Sequence, residues 1–281
     1  MPTCYVVGAG DFTPRGFAPG PGDLVVAADG GYRALYSLGY TPDLLLGDFD
    51  SLGDLPLPAD LPVLRFPVRK DDTDAGLALR HGLDLGFRDF ALYGCAGGRV
   101  DHLLANFQSM ARVSRLGATV RLAAPDYDAW SLTGPAPDAP APAPGGPAPN
   151  APAPGLAPSG PAPSGPAPAT PAAPNAPTPA TPAAPDAPAP APGGPAPDAL
   201  APAAVLALPP RPGGTLVSVF CQGDRAEGVT LAGLAYPLSD AALTGDFPLG
   251  VSNRRLDGQR ATVAVRRGTL LILQSAGPDI A

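Results

Sequence analysis

The stretch DLVVAADGGYRALYSLGYTPDLLLGDFDS at residues 23–51 decides the fold of this chain. Its two apolar runs, LVVAA and LLLG, flank a segment from 31 to 38 whose apolar residues recur at helical spacing. A strand, a helix and a second strand in this order form a βαβ unit with parallel strands. Because both runs are apolar at nearly every position, we expect helices on both faces of the sheet.

The same alternation of short apolar runs and segments of helical period continues through the first 125 residues. Strands are predicted within CYVVGA (4–9), PVLRFP (62–67), DFALYGC (89–95) and TVRLAA (119–124), and helices over 73–85 and 100–116. This pattern predicts an N-terminal doubly wound α/β domain with a parallel sheet. In such a domain, ligands bind at the carboxyl ends of the strands.

After Pro125 the chain contains strand-like runs joined by turns with Gly and Pro, and no convincing helix. The runs are YDAWSLT (127–133), AVLAL (204–208), TLVSVF (215–220), ATVAVRR (261–267) and TLLILQS (269–275). We therefore predict a small C-terminal β-sandwich domain formed by 126–133 and 206–281, beside an α/β domain formed by 1–125.

A Pro/Ala-rich tract separates the two parts of the predicted sandwich. Of the 42 prolines, 26 fall between Pro135 and Pro202, and the sequence PDAPAPAPGGPAP occurs from Pro137 and again from Pro185. Such a sequence cannot bury apolar area, so we predict a disordered insertion over 134–205, at the tip of a hairpin formed by the first two runs. We interpret it as a spacer, because docking to a groove for proline-rich peptides would require basic anchors that it lacks.

The charge and cysteine content exclude several classes of function. The net charge is −7 and the 18 Lys and Arg residues do not cluster, so we expect no nucleic-acid partner. The cysteines, Cys4, Cys95 and Cys221, show neither disulfide nor CxxC spacing, which is typical of a reducing compartment. There is no secretory leader pattern and no apolar run of membrane-spanning length, so we expect a cytoplasmic protein without membrane contacts.

The run DLLLGD leads into GDFDS, which places Asp48 and Asp50 at the carboxyl end of a predicted strand. Two acids at alternate positions can converge on one cation, and Mg²⁺ prefers carboxylate and phosphate oxygens. Asp and Gly are also favoured in solvated turns. From this segment alone, a metal site and a plain turn are equally good interpretations.

A second acidic cluster, KDDTD, begins at Lys70 and places Asp71, Asp72 and Asp74 within the first turn of a predicted helix. Thr73 or Asp72 could cap that helix, and acids are favourable at a helix N-terminus. Capping explains Lys70 less well, because a cation opposes the helix dipole there. A lysine at this place suits a phosphate ligand.

The segment GCAGGRVDH follows a predicted strand and leads into a helix. Its glycines, including Gly97 and Gly98, allow backbone N–H groups to approach an anion at the helix start. Arg99 offers a forked positive partner for phosphate. Asp101 could be a plain N-cap, and His102 either a buried hydrogen-bonding residue or a direct contact. The chain has two histidines, which excludes a histidine-based metal site.

A fourth element, ADGG, places Asp29 and Gly30 between a strand and a helix, although a glycine there could simply complete the turn. All four elements follow predicted parallel strands, so a single crevice would gather them. Together they predict a site for a complex of Mg²⁺ and a nucleotide. The chain has no GxxxxGK[ST] sequence, which excludes a P-loop kinase.

These four elements resemble motifs of the thiamine pyrophosphokinase family, in the same order and spacing. The similarity lies in ADGG (28–31), PDLLLGDFDS (42–51), KDDTD (70–74), GCAGGRVDHLLAN (94–106), GVTLAGLAYPL (228–238) and GVSN (250–253). It covers nearly all of the chain outside the Pro/Ala-rich tract. The resemblance implies transfer of the terminal diphosphate of ATP to the hydroxyl of thiamine, with Mg²⁺ as cofactor, by a homodimer whose active site lies between two subunits.

By matching positions, the resemblance also implies a role for each site residue. The implied catalytic set is Asp48, Asp71, Asp74 and Arg99, the Mg²⁺ ligands are Asp48, Asp50 and Asp71, the ATP-side residues are Asp29, Gly30, Lys70, Thr73, Gly97, Gly98, Asp101 and His102, and the thiamine-side residues are Ser252 and Asn253. Asp74 would orient or deprotonate the thiamine hydroxyl, and Lys70 and Arg99 would face the ATP phosphates. The thiamine oxygen would attack the β-phosphorus while AMP leaves.

One departure from the family concerns the aromatic contact to thiamine. Some members place a tryptophan near the chain end against thiamine, whereas the closing run here reads TLLILQS and the single tryptophan is Trp130. We expect apolar contact with Leu271 or Ile272 to replace the stacking.

Other functions are compatible with the same motifs. One is a pyrophosphokinase acting on a different small alcohol, such as a hydroxymethylpterin, and another is a sugar transferase that binds its nucleotide through the aspartates of GDFDS. The segments GVSN and GLAYPL favour thiamine over both. A non-catalytic nucleotide-binding or scaffold protein would not need Asp48 and Asp71, which are both present.

Overall fold

The computed structural model describes residues 1–47, 54–66, 72–135 and 203–278. In the first half of this described chain, helices alternate with strands. The elements are β1 (Cys4–Val7), β2 (Leu24–Ala28), α1 (Gly31–Ser37), β3 (Leu44–Gly47), β4 (Val63–Arg65), α2 (Asp74–Asp84), β5 (Asp89–Tyr93), α3 (Val100–Arg115) and β6 (Thr119–Ala123). Each lies within the corresponding predicted segment. No helix in the described ranges is long and apolar enough to cross a membrane.

The second half of the described chain consists of strands and connecting turns. The strands are β7 (Tyr127–Thr133), β8 (Ala204–Ala207), β9 (Thr215–Cys221), β10 (Arg225–Ala232), β11 (Leu238–Thr244), β12 (Gly250–Arg254), β13 (Thr262–Val265) and β14 (Thr269–Pro278). Five of these strands match the predicted runs. β10, β11 and β12 do not correspond to any predicted run.

The described strands form two sheets. The larger sheet has the order β12-β9-β14-β7-β6-β5-β1-β2-β3-β4, and the smaller has the order β11-β10-β13-β8. In the larger sheet, the strands from β6 to β4 are parallel, and β7, β14, β9 and β12 continue it in antiparallel pairing. The chain passes from β1 to β2 on one side, whereas β5 lies on the other side of β1. The topological switch point is therefore between β1 and β5.

Helices cover both faces of the parallel part. Helices α2 and α3 pack in a core that contains Val6, Ala78 and Met110. Helix α1 packs in a second core that contains Val7 and Leu35. Because successive strand residues point to opposite faces, the neighbours Val6 and Val7 show that these cores lie on opposite sides of the sheet. The predicted doubly wound arrangement is confirmed.

A third core lies between the antiparallel part of the larger sheet and the smaller sheet. It contains Trp130 and Ile272 from the larger sheet and Leu231 and Val263 from the smaller one. The predicted C-terminal β-sandwich is confirmed. One of its sheets continues the parallel sheet, because β7 pairs with β6 and Trp130 lies opposite Arg121. The limits that we gave to the two domains stay a prediction.

The predicted hairpin between 127–133 and 204–208 is wrong. β7 pairs with β6 and β14, whereas β8 pairs with β13 in the smaller sheet. Both sides of β7 are occupied, so β8 cannot pair with it and lies in the other layer of the sandwich. The tract from 136 to 202 lies outside the described residues. Its predicted disorder and its role as a spacer therefore stay predictions.

The cysteines are free thiols within the folded cores. Cys4 and Cys95 are buried, and Cys221 is half-buried. Burial raises the pKa of Cys4 and of Cys95 to about 12. Thiols that stay protonated at neutral pH are poor nucleophiles, so a structural interpretation fits both residues.

A buried carboxylate joins segments from both halves of the chain. Asp128 on β7 is 1% exposed and forms ion pairs with Arg15, Arg121 and Arg211 at 2.6, 2.8 and 3.1 Å. Arg15 lies in the loop after β1, Arg121 on β6, and Arg211 in the loop after β8. Burial alone would raise the pKa of Asp128, but hydrogen bonds from Arg15 and Arg121 outweigh it and hold the pKa below its ordinary value. Asp128 is therefore ionised and paired in the folded state.

We expect Asp128→Asn to lower the free energy of unfolding at pH 7 by about 3 kcal/mol, because breaking a buried ion pair leaves its partners uncompensated. The pKa of Asp128 is lower in the folded than in the unfolded chain. Its ionised form therefore stabilises the fold fully at pH values above the ordinary pKa of 3.8, and this stabilisation is lost as the pH falls through the folded-state pKa. The difference between wild type and variant should therefore narrow below about pH 4. Urea unfolding at several pH values measures both effects.

The control for this experiment is Asp60→Asn, which makes the same change of charge at an exposed position. Its free energy of unfolding should stay within about 0.5 kcal/mol of wild type. Equal losses in the two variants, or a difference for Asp128→Asn that persists in acid, would contradict the role given to Asp128.

Candidate functional site

The loops that follow β1 and β5 lie side by side at the switch point. The backbone N–H groups of Gly10 and Asp11 donate to the carbonyls of Gly94 and Ala96 at 2.7 and 2.8 Å. A Cβ on Gly10 would lie 2.2 Å from the carbonyl oxygen of Ala96, so only glycine permits this close approach. The two loops therefore form a continuous backbone surface at the carboxyl ends of β1 and β5.

Gly97 and Gly98 are exposed and have positive φ angles of +82° and +63°. A Cβ on Gly97 would lie 2.1 Å from the carboxylate of Asp11, whereas a Cβ on Gly98 would meet no atom within 4 Å. Gly98 thus borders open space just before α3, and Gly97 packs against an exposed acid. Sequence reasoning missed Asp11, although GAGD after β1 repeats the glycine-rich exit that follows β5.

Asp29 and Gly30 connect β2 to α1, as predicted. The N–H of Asp29 donates to the carbonyl of Leu46 at 2.7 Å, and Asp29 has an unusual positive φ of +48°. A Cβ on Gly47 would lie 3.0 Å from the Cβ of Asp29. Asp29 therefore lies against the end of β3, where the sequence continues into Asp48.

Helix α2 begins with the cap that the sequence predicts. The Oγ1 of Thr73 accepts a hydrogen bond from the N–H of Gly76 at 3.0 Å. Asp72 accepts from the N–H of Thr73 at 2.9 Å and pairs with Arg80. Asp74 is the first helical residue and is half-buried, in a place where the helix dipole favours a carboxylate. The capping role of Thr73 is confirmed, and its role toward ATP stays a prediction.

Asn106 on α3 links the start of α2 to the loop after β5. Its side chain is buried, and its Nδ2 donates to the carbonyl of Cys95 at 2.8 Å. Its Oδ1 accepts a longer hydrogen bond from the Oγ1 of Thr73 at 3.4 Å. Asn106 stands at the end of the third motif, but its place in the sequence does not indicate this role. The structure shows that it holds two of the motif segments together.

Arg99, Asp101 and His102 are exposed at the start of α3. Arg99 occupies the N-cap position without a side-chain capping bond, and it forms an ion pair with Asp101. The hydrogen bond that Arg99 donates to Asp101 within this ion pair lowers the pKa of Asp101. The interpretations of Asp101 as an N-cap and of His102 as a buried residue are wrong. Both side chains lie beside the exposed loop that contains Gly97 and Gly98.

Four predicted site residues, Asp48, Asp50, Lys70 and Asp71, lie outside the described residues. Within the described ranges, no group of three His, Cys, Asp or Glu side chains could hold a metal ion. The assignment of Mg²⁺ ligands therefore stays a prediction.

In the β-sandwich, the two predicted thiamine-side segments line one cleft with a volume of about 300 Å³. Its lining residues are Leu231, Tyr236, Leu238, Leu249, Gly250, Val251 and Asn253. The ring of Tyr236 is 70% exposed and supplies the aromatic surface of this cleft. Tyr236 lies in the GLAYPL segment, but the sequence alone does not indicate this role.

Asn253 is buried and bonds to the backbone of the cleft wall. Its Oδ1 accepts from the N–H of Tyr236 at 2.9 Å, and its Nδ2 donates to the carbonyl of the same residue at 2.6 Å. Ser252 is exposed, has a positive φ of +58°, and its N–H donates to the Oγ of Ser218 at 3.0 Å. Asn253 thus fixes Tyr236, while the hydroxyl of Ser252 lies on the exposed side of the strand.

The expectation that Leu271 or Ile272 replaces the family's tryptophan is wrong. Leu271 is buried in the core beneath α2 and α3, and Ile272 is buried in the sandwich core. Both lie on β14, which pairs with β7 and β9 and is covered on both faces. Neither side chain lines the cleft that contains Tyr236.

A larger groove of about 480 Å³ lies between α2 and α3. Arg80 and Arg88 border it, but Arg80 is paired with Asp72 and Arg88 donates to backbone carbonyls. It runs along the sides of the helices and not at the carboxyl ends of the strands. We therefore do not place a substrate there.

Two models of one family match separate parts of the chain. Residues 21–122 match the model "Thiamin pyrophosphokinase, catalytic domain", and residues 205–270 match "Thiamin pyrophosphokinase, vitamin B1 binding domain". A curated relative, the thiamine pyrophosphokinase of Bacillus subtilis (strain 168), is 31% identical over 103 residues. That alignment covers 35% of this chain and 48% of the relative, so it spans about half the relative's length.

Solved structures with the same fold carry the same name. Thiamine pyrophosphokinase from Bacillus subtilis aligns with a TM-score of 0.64 and 19% identity, over 99% of this chain and 100% of that one. Thiamin pyrophosphokinase from Geobacillus thermodenitrificans aligns with a TM-score of 0.62 and 18% identity, over 99% of each chain. Thiamin pyrophosphokinase from Candida albicans aligns with a TM-score of 0.56 and 10% identity, over 98% of this chain and 88% of that one. From the matches to both of its domain models, the chain belongs to the thiamin pyrophosphokinase family.

Proposed function

We propose that this chain transfers the terminal diphosphate of ATP to the hydroxyl of thiamine, which yields AMP and thiamine diphosphate. The observation that carries the proposal is the presence of both family domains, catalytic and vitamin B1 binding, in one chain. Each domain contains a candidate site: the glycine-rich surface at the switch point in the first, and the cleft beside Tyr236 in the second.

The phosphates of ATP bind at the loop before α3. Gly98 borders open space there, and the free N–H groups of a helix start attract anions. Arg99 is exposed and close to this loop, but its guanidinium is paired with Asp101. Because exposed ion pairs contribute little to stability, a phosphate group can replace Asp101 as the partner of Arg99 at small cost. Asp29 and Gly30 border the same end of the sheet.

Mg²⁺ is the cofactor, and Asp48, Asp50 and Asp71 are its protein ligands. The donor set fits, because carboxylates together with substrate phosphates supply the oxygen ligands that Mg²⁺ prefers. In the sequence, Asp48 directly follows Gly47, against which Asp29 packs. When bound, the ion supplies positive charge that offsets the charge of the ATP phosphates.

Thiamine binds in the cleft of the sandwich. The volume of about 300 Å³ is at the lower limit for small-molecule sites, as expected for a ligand with two small rings. The thiazolium ring of thiamine is cationic, and an aromatic face such as that of Tyr236 attracts a cation. Asn253 holds the backbone of Tyr236, and Leu238 and Leu249 offer apolar contact. Ser252, next to Asn253 in the sequence, is exposed and offers a hydroxyl to a ligand.

The reaction is a displacement at the β-phosphorus of ATP. A bond forms between the thiamine hydroxyl oxygen and the β-phosphorus, and the bond from that phosphorus to the bridging oxygen of AMP breaks. Asp74 orients the hydroxyl and accepts its proton. Lys70 and Arg99 stabilise the charge on the phosphate oxygens, and alignment of the two substrates supplies most of the remaining rate.

The active unit is a homodimer in which the α/β domain of one subunit faces the sandwich of the other. Support comes from apolar side chains around the thiamine cleft that are exposed to solvent, as is frequent at subunit interfaces. They are Tyr236, Phe247, Leu249, Val251 and Leu256. The net charge of −7 makes a nucleic-acid partner unfavourable. A cytoplasmic location is part of the proposal.

The first experiment incubates the purified full chain with ATP, Mg²⁺ and thiamine and measures AMP and thiamine diphosphate. We expect equal amounts of the two products and no AMP without thiamine. A second form, in which a Gly/Ser linker of about ten residues replaces 136–202, should retain the activity if the tract is a spacer. No thiamine-dependent AMP from the full chain would overturn the proposal, and AMP formation with a hydroxymethylpterin instead would assign another acceptor.

Asp48→Asn should lower kcat at least about 100-fold, because loss of a metal-bound carboxylate removes electrostatic stabilisation of the transition state. The thermal unfolding midpoint should change little, since Asp48 follows a strand end. Asp60→Asn is the matched control for charge and should keep full activity. Near-normal kcat for Asp48→Asn at all Mg²⁺ concentrations would contradict the metal-site assignment.

Tyr236→Ala should raise KM for thiamine by roughly tenfold, equal to about 1.4 kcal/mol, and leave KM for ATP unchanged. Tyr236→Phe should behave as wild type, because the aromatic face is retained. Tyr36→Ala removes another exposed aromatic ring, on α1, and should change neither constant. If Tyr236→Ala altered both KM values equally, the cleft would not be the thiamine site.

A further inference from the structure

The carboxylate of Asp128 has no capacity for a further donor. Its Oδ1 accepts from the Nε and Nη2 of Arg121 at 3.2 and 2.8 Å. Its Oδ2 accepts from the Nη1 of Arg15 at 2.6 Å and from the Nη2 of Arg211 at 3.1 Å. A carboxylate offers about four acceptor positions, so all of them are occupied.

The positive charge around Asp128 is not balanced. Three positive charges, on Arg15, Arg121 and Arg211, face the single negative charge of Asp128. Within the described ranges, Asp128 is the one carboxylate that pairs with these arginines. A fourth arginine, Arg255, is 5% exposed, and its Nη1 donates to the carbonyl of Pro209 at 3.3 Å. Burial and the charge of Arg211 lower the pKa of Arg255. The cluster therefore has an excess of at least two positive charges.

Several polar atoms of this cluster are buried without a hydrogen-bond partner. They include the Nε of Arg211, the Nε of Arg255 and the hydroxyl of Tyr93. Unpaired buried donors are unfavourable and are uncommon in folded proteins. Donors of this kind beside an excess of positive charge are the expected lining of a site for an anion.

Gly16, next to Arg15 in the sequence, lies against the guanidinium of Arg121 and the hydroxyl of Tyr93. Gly16 has a φ of +75°, and a Cβ there would lie 3.4 Å from the Nη1 of Arg121 and 3.7 Å from the hydroxyl of Tyr93. The side chains of Arg15, Arg121 and Arg211 are 28%, 30% and 22% exposed. A small ligand can therefore reach these guanidinium groups from solvent.

We propose that Arg15, Arg121 and Arg211 form a binding site for a phosphate group, distinct from the ATP and thiamine sites. The guanidinium fork matches the spacing of phosphate oxygens. Hydrogenphosphate carries two negative charges, which would offset the excess of the three arginines over Asp128. The arginines come from the loop after β1, from β6 and from the loop after β8, so the bound group would tie the α/β part to the sandwich.

The test is thermal unfolding of the full chain in inorganic phosphate, with ionic strength held constant by sodium chloride. We expect a midpoint that rises and saturates with phosphate in the wild type. In Arg211→Gln the apparent dissociation constant should rise at least about tenfold. Arg99→Gln, altered at the proposed ATP site, should retain the part of the response that Arg211→Gln loses. No phosphate-specific rise in the wild type, or an unchanged response in Arg211→Gln, would overturn the proposal.

Two further arms identify the source of the phosphate group. If glycerol 2-phosphate stabilises as well as inorganic phosphate, the site accepts a phosphate ester, and if inorganic phosphate alone stabilises, it accepts the free ion; both outcomes support the proposal. Equal stabilisation by acetate would overturn it. Should Arg211→Gln fail to fold, equilibrium dialysis of the wild type with labelled phosphate, in the presence of saturating non-hydrolysable ATP analogue and Mg²⁺, gives a direct answer. One bound phosphate per chain supports the site, and none refutes it.

Discussion

The ion pairs of Asp128 are the interaction on which the arrangement of this chain depends. A carboxylate that is 1% exposed persists only with counter-charges in place, and here they come from three separate segments. Asp128 lies at the start of β7, the strand that continues the parallel sheet into the sandwich. The same contact thus orients the loop after β1, which contributes to the switch point, and the loop after β8, which leads into the sandwich.

At the switch point, glycines determine what the loops can present. Gly10 lets the loop after β1 approach the loop after β5, and Gly97, at a positive φ of +82°, packs against the side chain of Asp11. Asn106 then joins the loop after β5 to the start of α2. The strands place these loops at one edge of the sheet, but backbone contacts and one buried amide set their mutual geometry. Substitutions at Gly10 or Asn106 would therefore change the geometry of the site.

The sequence predicts the α/β part better than the sandwich, for a physical reason. LVVAA is buried on both faces as β2, so its composition alone indicates a strand. β11, by contrast, contains Asp240 at a positive φ and has a single buried residue, Leu243, and its pairing with β10 has register shifts. Such a strand is stabilised by its neighbours and not by its own residues. The same limit explains the wrong hairpin, because the assignment of β7 and β8 to different layers is a tertiary property.

For the candidate site, motifs identify the segments but not the task of each residue. Asn253 and Asn106 are buried, and their amides bond to backbone carbonyls or N–H groups of neighbouring segments. Tyr236, Arg99 and His102 are exposed at the ends of the same segments. Buried polar groups need partners within the protein, so the buried asparagines hold neighbouring segments in place. The exposed residues are accessible to ligands. Sequence alone cannot make this distinction, because burial depends on the packing of the whole chain.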